Sequence, residues 1–154
     1  LLPKEYKLLI LGVGHLEEKL QQKTYDLKLE NRVFFLGLKP PVGVITSLHQ
    51  SDIFIRPSRS EGMGNSFIEA MAAGIPVIAT PVGGIIDFLK DGETGLFCKI
   101  KNPESIAEKV MEYTNNPELR NKVVQNAKAM VVEKYDWNLI AQDMKAKLFD
   151  VVIK

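Results

Sequence analysis

An α/β fold, doubly wound around a mainly parallel Rossmann-like sheet with helices on both faces and a helical C-terminal tail, follows from three observations. Short apolar runs alternate with amphipathic stretches along the chain. The runs are continuously hydrophobic instead of alternating, which implies cover on both faces, as parallel strands between helices require. From residue 102 onward no strand-like run remains, only helical patterns with their start signals.

The elements can be taken in order. Leu8-Leu9-Ile10-Leu11 reads as the first strand, and the stretch from Leu16 to about Leu29 as the first helix. Val33-Phe34-Phe35-Leu36 is the second strand, followed by a helical pattern over Gly43 to Gln50. Ile53-Phe54-Ile55 comes next, then a helix over Asn65 to Ala73 that Gly74 and Pro76 end. Pro76-Val77-Ile78-Ala79 leads to a helix over Gly84 to Lys90, ended by Gly92, and Gly95-Leu96-Phe97 is the last, short strand. Asn102-Pro103-Glu104 and Asn116-Pro117-Glu118 each place an N-cap, a proline at the first helical position and an acid in the first turn, so two helices start there. Asp136 caps a last helix from Trp137 to about Asp150, with Leu139, Ile140, Met144, Leu148 and Phe149 on one face.

Composition narrows the function classes. With 154 residues, 45% hydrophobic and 25% charged, the chain fits one globular domain, 1–154, with a full core. The 20 basic and 19 acidic residues nearly cancel, so no global field draws nucleic acid or an anionic membrane; an anionic ligand has to be held locally. The single cysteine, Cys98, excludes an internal disulfide and reads as a small core residue, which fits a reducing, cytoplasmic setting. No apolar run approaches the ~20 residues of a membrane span, and the first residues lack the pattern of a signal peptide. The start at Leu1-Leu2-Pro3, without methionine and running into a strand at once, gives the expectation of a fragment whose upstream part is missing.

Ligands of open α/β sheets bind outside the carboxyl ends of the strands, so three loops matter. Gly12-Val13-Gly14-His15 begins like a dinucleotide fingerprint, but Glu17 stands where the third glycine belongs. Gly12 and Gly14 still permit close approach of backbone to a ligand; a plain tight turn is the alternative. The second loop runs from Arg56 to Glu69. Gly62 and Gly64 let the chain turn, and a helix starting near Asn65 aims free amides above the sheet, an anion site for a diphosphate without a metal. Glu61 and Glu69 flank that site and suit hydroxyl groups of a sugar and a ribose, which donate charge-assisted hydrogen bonds to carboxylates. Ser66-Phe67-Ile68-Glu69 also satisfies the capping-box pattern, so a purely local role for Glu69 stays open. The third loop, Thr80-Pro81-Val82-Gly83-Gly84, is expected either to touch phosphate or to pack against its neighbour, with phosphate contact preferred. Asp87 reads as a polar helix residue and not a catalytic acid, His49 as a surface or packing residue, and Arg59 as a surface arginine, with partial compensation for missing positive charge at the diphosphate as its alternative.

The segment from Pro57 to Gly84 carries Pro57-Ser58, Glu61-Gly62, Glu69-Ala70-Met71-Ala72-Ala73-Gly74, Pro76-Val77-Ile78-Ala79 and Gly83-Gly84. With Leu36-Gly37, Gly92-Glu93-Thr94-Gly95-Leu96 and Trp137, it resembles the GT-B-fold retaining glycosyltransferases called group 1 or family 4. The resemblance implies a donor-binding domain: Glu61 beside the donor sugar and catalytic, Gly62, Met63, Gly64, Asn65 and Ser66 at the sugar and diphosphate, and Glu69 at the ribose. It implies a nucleotide-diphosphate sugar, of UDP or GDP type, as substrate, with no cofactor and no metal, and Asp-x-Asp occurs nowhere in the chain. It implies an N-terminal acceptor domain as partner, through which alone a membrane would be touched. The family's arginine and lysine after the first strand of this domain would lie before Leu1, so the fragment alone is expected to bind donor weakly and transfer nothing. Glu61 is not assigned as a covalent nucleophile, because no second carboxylate is paired with it at a known distance. The alternatives are a non-catalytic nucleotide-binding module and a sugar-nucleotide epimerase on the same fold; for the latter His15 and His49 are the only histidines available as acid or base.

Overall fold

The computed structural model describes residues 1–150; positions 151–154 of the expected domain lie outside the described residues. The elements follow the expected order: β1 (Leu8–Leu11), α1 (Glu17–Asp26), β2 (Val33–Gly37), α2 (Pro41–His49), β3 (Phe54–Arg56), α3 (Asn65–Ala72), β4 (Val77–Ala79), α4 (Ile85–Phe88), β5 (Leu96–Phe97), α5 (Pro103–Asn115), α6 (Pro117–Tyr135), α7 (Trp137–Met144) and a π-helical turn over Lys145–Phe149. The class is α/β, with parallel strands in sheets flanked by helices and a helical C-terminal tail. The strands pair in two ladders, β1-β2 and β3-β4-β5. The chain divides into two compact units, Leu1–Ser47 and Leu48–Lys154, with α2 running across the division.

In the first unit β1 and β2 run parallel with Leu8 opposite Val33 and a register irregularity after Ile10. The two-sided burial expected of a continuous apolar run is not met there. Leu8, Leu11 and Phe34 are exposed, because β1 is covered by a pairing on one edge while α1, its own crossover helix, buries no residue. Arg32 ties down the start of the chain, its guanidinium donating to the carbonyls of Tyr6 and Pro3 at 3.0 and 2.6 Å.

The second unit holds the core. β4 is the central strand and all three of its residues are buried, as the continuous run Val77-Ile78-Ala79 predicts. Phe67, Ala70 and Met71 of α3, Ile85 and Phe88 of α4, Val110 and Tyr113 of α5, and Val123, Ala127 and Val131 of α6 close around it. The Tyr113 hydroxyl, fully inside, donates to the Val77 carbonyl at 3.1 Å, so the ring fills core without leaving its polar tip unpaired. Cys98 is buried as expected, and burial raises its thiol pKa.

Helix starts are well marked. The Asn102 and Asn116 side chains accept from the amides of Ser105 and Leu119 at 2.6 and 3.0 Å, and Asp136 accepts from Asn138 at 2.7 Å. Helix ends are less so. α4 stops at Phe88, not Lys90, since Leu89 is already extended; Gly92 belongs to a separate turn closed by its amide on Gly95. In the tail the α-helical spacing stops at Lys145. The wider π turn breaks the 3.6-residue period that placed Leu148 and Phe149 on one stripe with Leu139, Ile140 and Met144.

Candidate functional site

β3 delivers the chain to the site. Phe54 and Ile55 are partly covered, and Arg56, the last residue of the strand, is where the apolar run ends in a charge. The chain then loops from Pro57 to Gly64 and enters α3. Gly64 is the N-cap with φ 68°, a left-handed conformation, and a Cβ there would meet the Phe67 ring at 2.7 Å; glycine is needed on both counts. No side chain caps α3, and Phe67 donates its amide to the Gly64 carbonyl. The first amides of the helix, at Asn65 and Ser66, therefore point out of an uncapped positive end, a ready anion site.

Glu61 stands at the mouth of this turn with its side chain only 15% exposed. One carboxylate oxygen, Oε2, takes an ion pair from Arg56 Nη2 at 2.8 Å and a hydrogen bond from Ser58 Oγ at 3.2 Å. Arg56 also donates through Nη1 to Ser66 Oγ at 2.7 Å, and its guanidinium carbon lies 5.6 Å from the centre of the Phe67 ring. Glu61, Arg56, Ser58 and Ser66 thus form one network across the two ends of the glycine loop. Sequence reasoning misses Arg56 and Ser58. The signal is present: a cation closing an otherwise apolar strand at its carboxyl end, where α/β ligands bind.

Glu69 lies on α3 in the second turn and is exposed. The capping box is not formed, because the helix begins at Asn65 and makes Gly64 the cap, leaving Ser66 inside the first turn with its hydroxyl on Arg56. Met63 is exposed on the loop that leads into α3.

The third loop packs against the second. Gly83, at φ 52°, sits so close to Glu61 that a Cβ would overlap the Glu61 carbonyl oxygen, and a Cβ on Gly84 would lie 2.6 Å from the Gly62 carbonyl oxygen. The Thr80 hydroxyl, fully buried, donates to the Ser58 carbonyl. Packing against the neighbouring loop, one of the two roles expected of these residues, is present. Its physical reason is that two glycine-bearing backbones approach within contact distance here, so the Gly83-Gly84 pair sets the height of Glu61 and Gly62.

Gly12 and Gly14 belong to the first unit. Gly12 needs its glycine for a φ of 103°, while neither position is crowded. Beyond them an open hollow of about 480 Å³ is lined by Gly14, His15, Glu17, Glu18 and Gln21. Glu17 and Glu18 occupy the first turn of α1 and already complement its positive end, which opposes an anion at that helix start. Among the described residues no group of three or more His, Cys, Asp or Glu side chains is arranged to hold a metal ion. No helix among them is long and apolar enough to cross a membrane.

Comparison with known proteins gives this geometry its family. The family model described as glycosyl transferases group 1 matches residues 2–130. The chain is 36% identical over 137 residues to an uncharacterized glycosyltransferase of Methanocaldococcus jannaschii, covering 89% of this chain and 35% of the relative. It superposes on an Anabaena protein solved in complex with UDP-glucose with a TM-score of 0.88 at 24% identity, over 96% of this chain and 42% of the other. It superposes on a mutant of S. aureus TarM, solved in complex with Fondaparinux, alpha-GlcNAc-glycerol and UDP, with a TM-score of 0.79 at 29% identity, over 88% of this chain and 27% of the other. The chain thus spans well under half the length of these proteins. Its Pro57–Gly84 loops, with Glu61 and Glu69 around an uncapped helix start, lie inside the matched region, and the chain belongs to the glycosyl transferases group 1 family.

Proposed function

We propose that the chain is the donor-binding domain of a metal-independent retaining glycosyltransferase, holding a nucleotide-diphosphate sugar at the Glu61–Glu69 loop. The observation that carries this reading is the pairing of a partly shielded, oriented carboxylate with an uncapped helix start on one glycine loop. The Asn65 and Ser66 amides and the dipole of α3 bind the diphosphate and stabilise the charge that develops on it as the sugar leaves. Glu61 takes hydroxyls of the donor sugar and lies near the ring as it becomes cationic. Glu69, exposed and released from capping, takes ribose hydroxyls. Gly62, Met63 and Gly64 shape the turn around the sugar. Gly12 and Gly14 are candidates within the first unit alone, for a backbone contact with a ligand.

Between UDP and GDP, UDP is favoured by TarM, a 29% identical structure that holds UDP. Transfer to a sugar or lipid acceptor belongs to the whole protein, with an N-terminal domain as the acceptor side and cytoplasm as its compartment. The test is calorimetric titration of the chain with UDP, GDP and ADP sugars to millimolar concentration, beside the Glu69→Ala variant. Binding of one nucleotide class, weakened about tenfold by Glu69→Ala, the size of one hydrogen bond to a charged group, supports the reading. No binding of any of them, or binding indifferent to Glu69→Ala and Glu61→Gln, would overturn it.

A further inference from the structure

We propose that Arg56 is a positioning residue of the donor site, one that clamps the two ends of the glycine loop and leaves Glu61 Oε1 as the oxygen that accepts from the donor sugar. This rests on the donor-binding reading above. Both contacts of the Glu61 carboxylate fall on the same atom: Arg56 Nη2 at 2.8 Å and Ser58 Oγ at 3.2 Å are on Oε2. The carboxylate is therefore turned in one sense, with Oε1 left to a ligand. The same guanidinium spans to Ser66 Oγ at 2.7 Å, in the first turn of α3, so residues 61 and 66 are tied together across the glycines between them. Phe67, fully buried and 5.6 Å from the guanidinium carbon, gives the cation a fixed face to rest on.

Arginine suits the task where lysine does not. A planar fork donates to a carboxylate and a hydroxyl at once while lying over a ring; an ammonium is a point charge on a flexible stem. Loss of the fork frees Glu61 to rotate and Gly62–Gly64 to open, and the penalty falls on the sugar, which needs the oriented oxygen, more than on the nucleotide diphosphate, which needs the amides.

That difference separates positioning from mere loop stability. The chain is titrated by NMR with UDP and UDP-glucose, and with GDP and GDP-mannose, and the ratio of sugar-nucleotide to bare-nucleotide affinity is the readout. Wild type is expected to prefer the sugar nucleotide of one pair. Arg56→Met removes that preference, by about tenfold, with bare-nucleotide affinity within about twofold of wild type. Arg56→Lys restores part of it, and Arg56→Met combined with Glu61→Gln loses no more than either alone, because both act through one contact. An Arg56→Met protein that keeps the full preference overturns the positioning role. So does one that weakens bare and sugar nucleotide equally while its melting temperature falls, the signature of a structural contact. If wild type binds neither nucleotide of either pair, the donor-binding reading fails and the role of Arg56 fails with it. If wild type binds nucleotide without preference for the sugar, the nucleotide site stands and the assignment of Glu61 and Arg56 to the sugar falls.

Discussion

Gly83 shows how far a single residue sets the geometry of the site. Its φ of 52° is disfavoured for any side chain, and the space a Cβ would occupy belongs to the Glu61 carbonyl oxygen. Gly83→Ala should lower stability by about 2 kcal/mol, from backbone strain and overpacking together, read as a lower denaturant midpoint at unchanged m. It should also weaken nucleotide-sugar binding, since relief of the clash moves Glu61. Tyr113 gives a pH-dependent counterpart. Burial, aided by the nearby acids Glu112 and Asp91, raises its phenol pKa well above the ordinary value of 10.0. A raised folded-state pKa means the folded state holds the proton longer, so the contribution is complete below the unfolded pKa and lost as pH climbs above it. Tyr113→Phe should cost about 1 kcal/mol at neutral pH for the hydrogen bond to Val77, yet flatten the alkaline loss of stability above about pH 10, as pH-dependent melting would register. At this scale Glu61, Glu69 and the glycines are legible because residue type and spacing carry their chemistry. Arg56 and Ser58 are not, because their role depends on side-chain directions across a loop with no period.

Elements are legible where a local chemical device marks them. Asn102 and Asn116 each accept the hydrogen bond that their sequence context predicts, and prolines follow both. Asn116→Ala and Asn102→Ala should each cost about 1 kcal/mol by chemical denaturation, and Asn→Asp at either should cost little, since aspartate caps as well. α3 is the opposite case. Its Ser-x-x-Glu pattern looks like a capping box with Ser66 as the cap, but the helix is capped two residues earlier by the αL Gly64, and the serine hydroxyl that would cap it rests on Arg56. The missing cap is itself informative, since a helix start with its amides unclaimed fits a ligand more readily than a satisfied one. α4 reads too long in the sequence for a physical reason: Leu89 faces the core in an extended conformation, and hydrophobic spacing alone does not distinguish that from one more helical residue.

Across the whole chain the fold class is readable, and the uneven burial of its strands is not. Continuous apolar runs predict two-sided cover throughout, which holds for β4 and fails for β1, since a run records what a strand can bury and not what covers it. Among the described residues, the buried hydrophobic ones fall in the second unit, from Leu48 to Val131. Amides of β4, α5 and α6 should therefore exchange with solvent more slowly than those of α1, by hydrogen exchange read by mass spectrometry; equal protection would contradict the burial pattern. The central claim, a donor site on the Glu61–Glu69 loop, is tested most directly by amide chemical-shift mapping of the chain titrated with UDP-glucose and GDP-mannose. The largest shifts are expected at Gly62, Gly64, Asn65, Ser66 and Glu69 with one of the two ligands. Saturable binding whose shifts leave this loop untouched would contradict it.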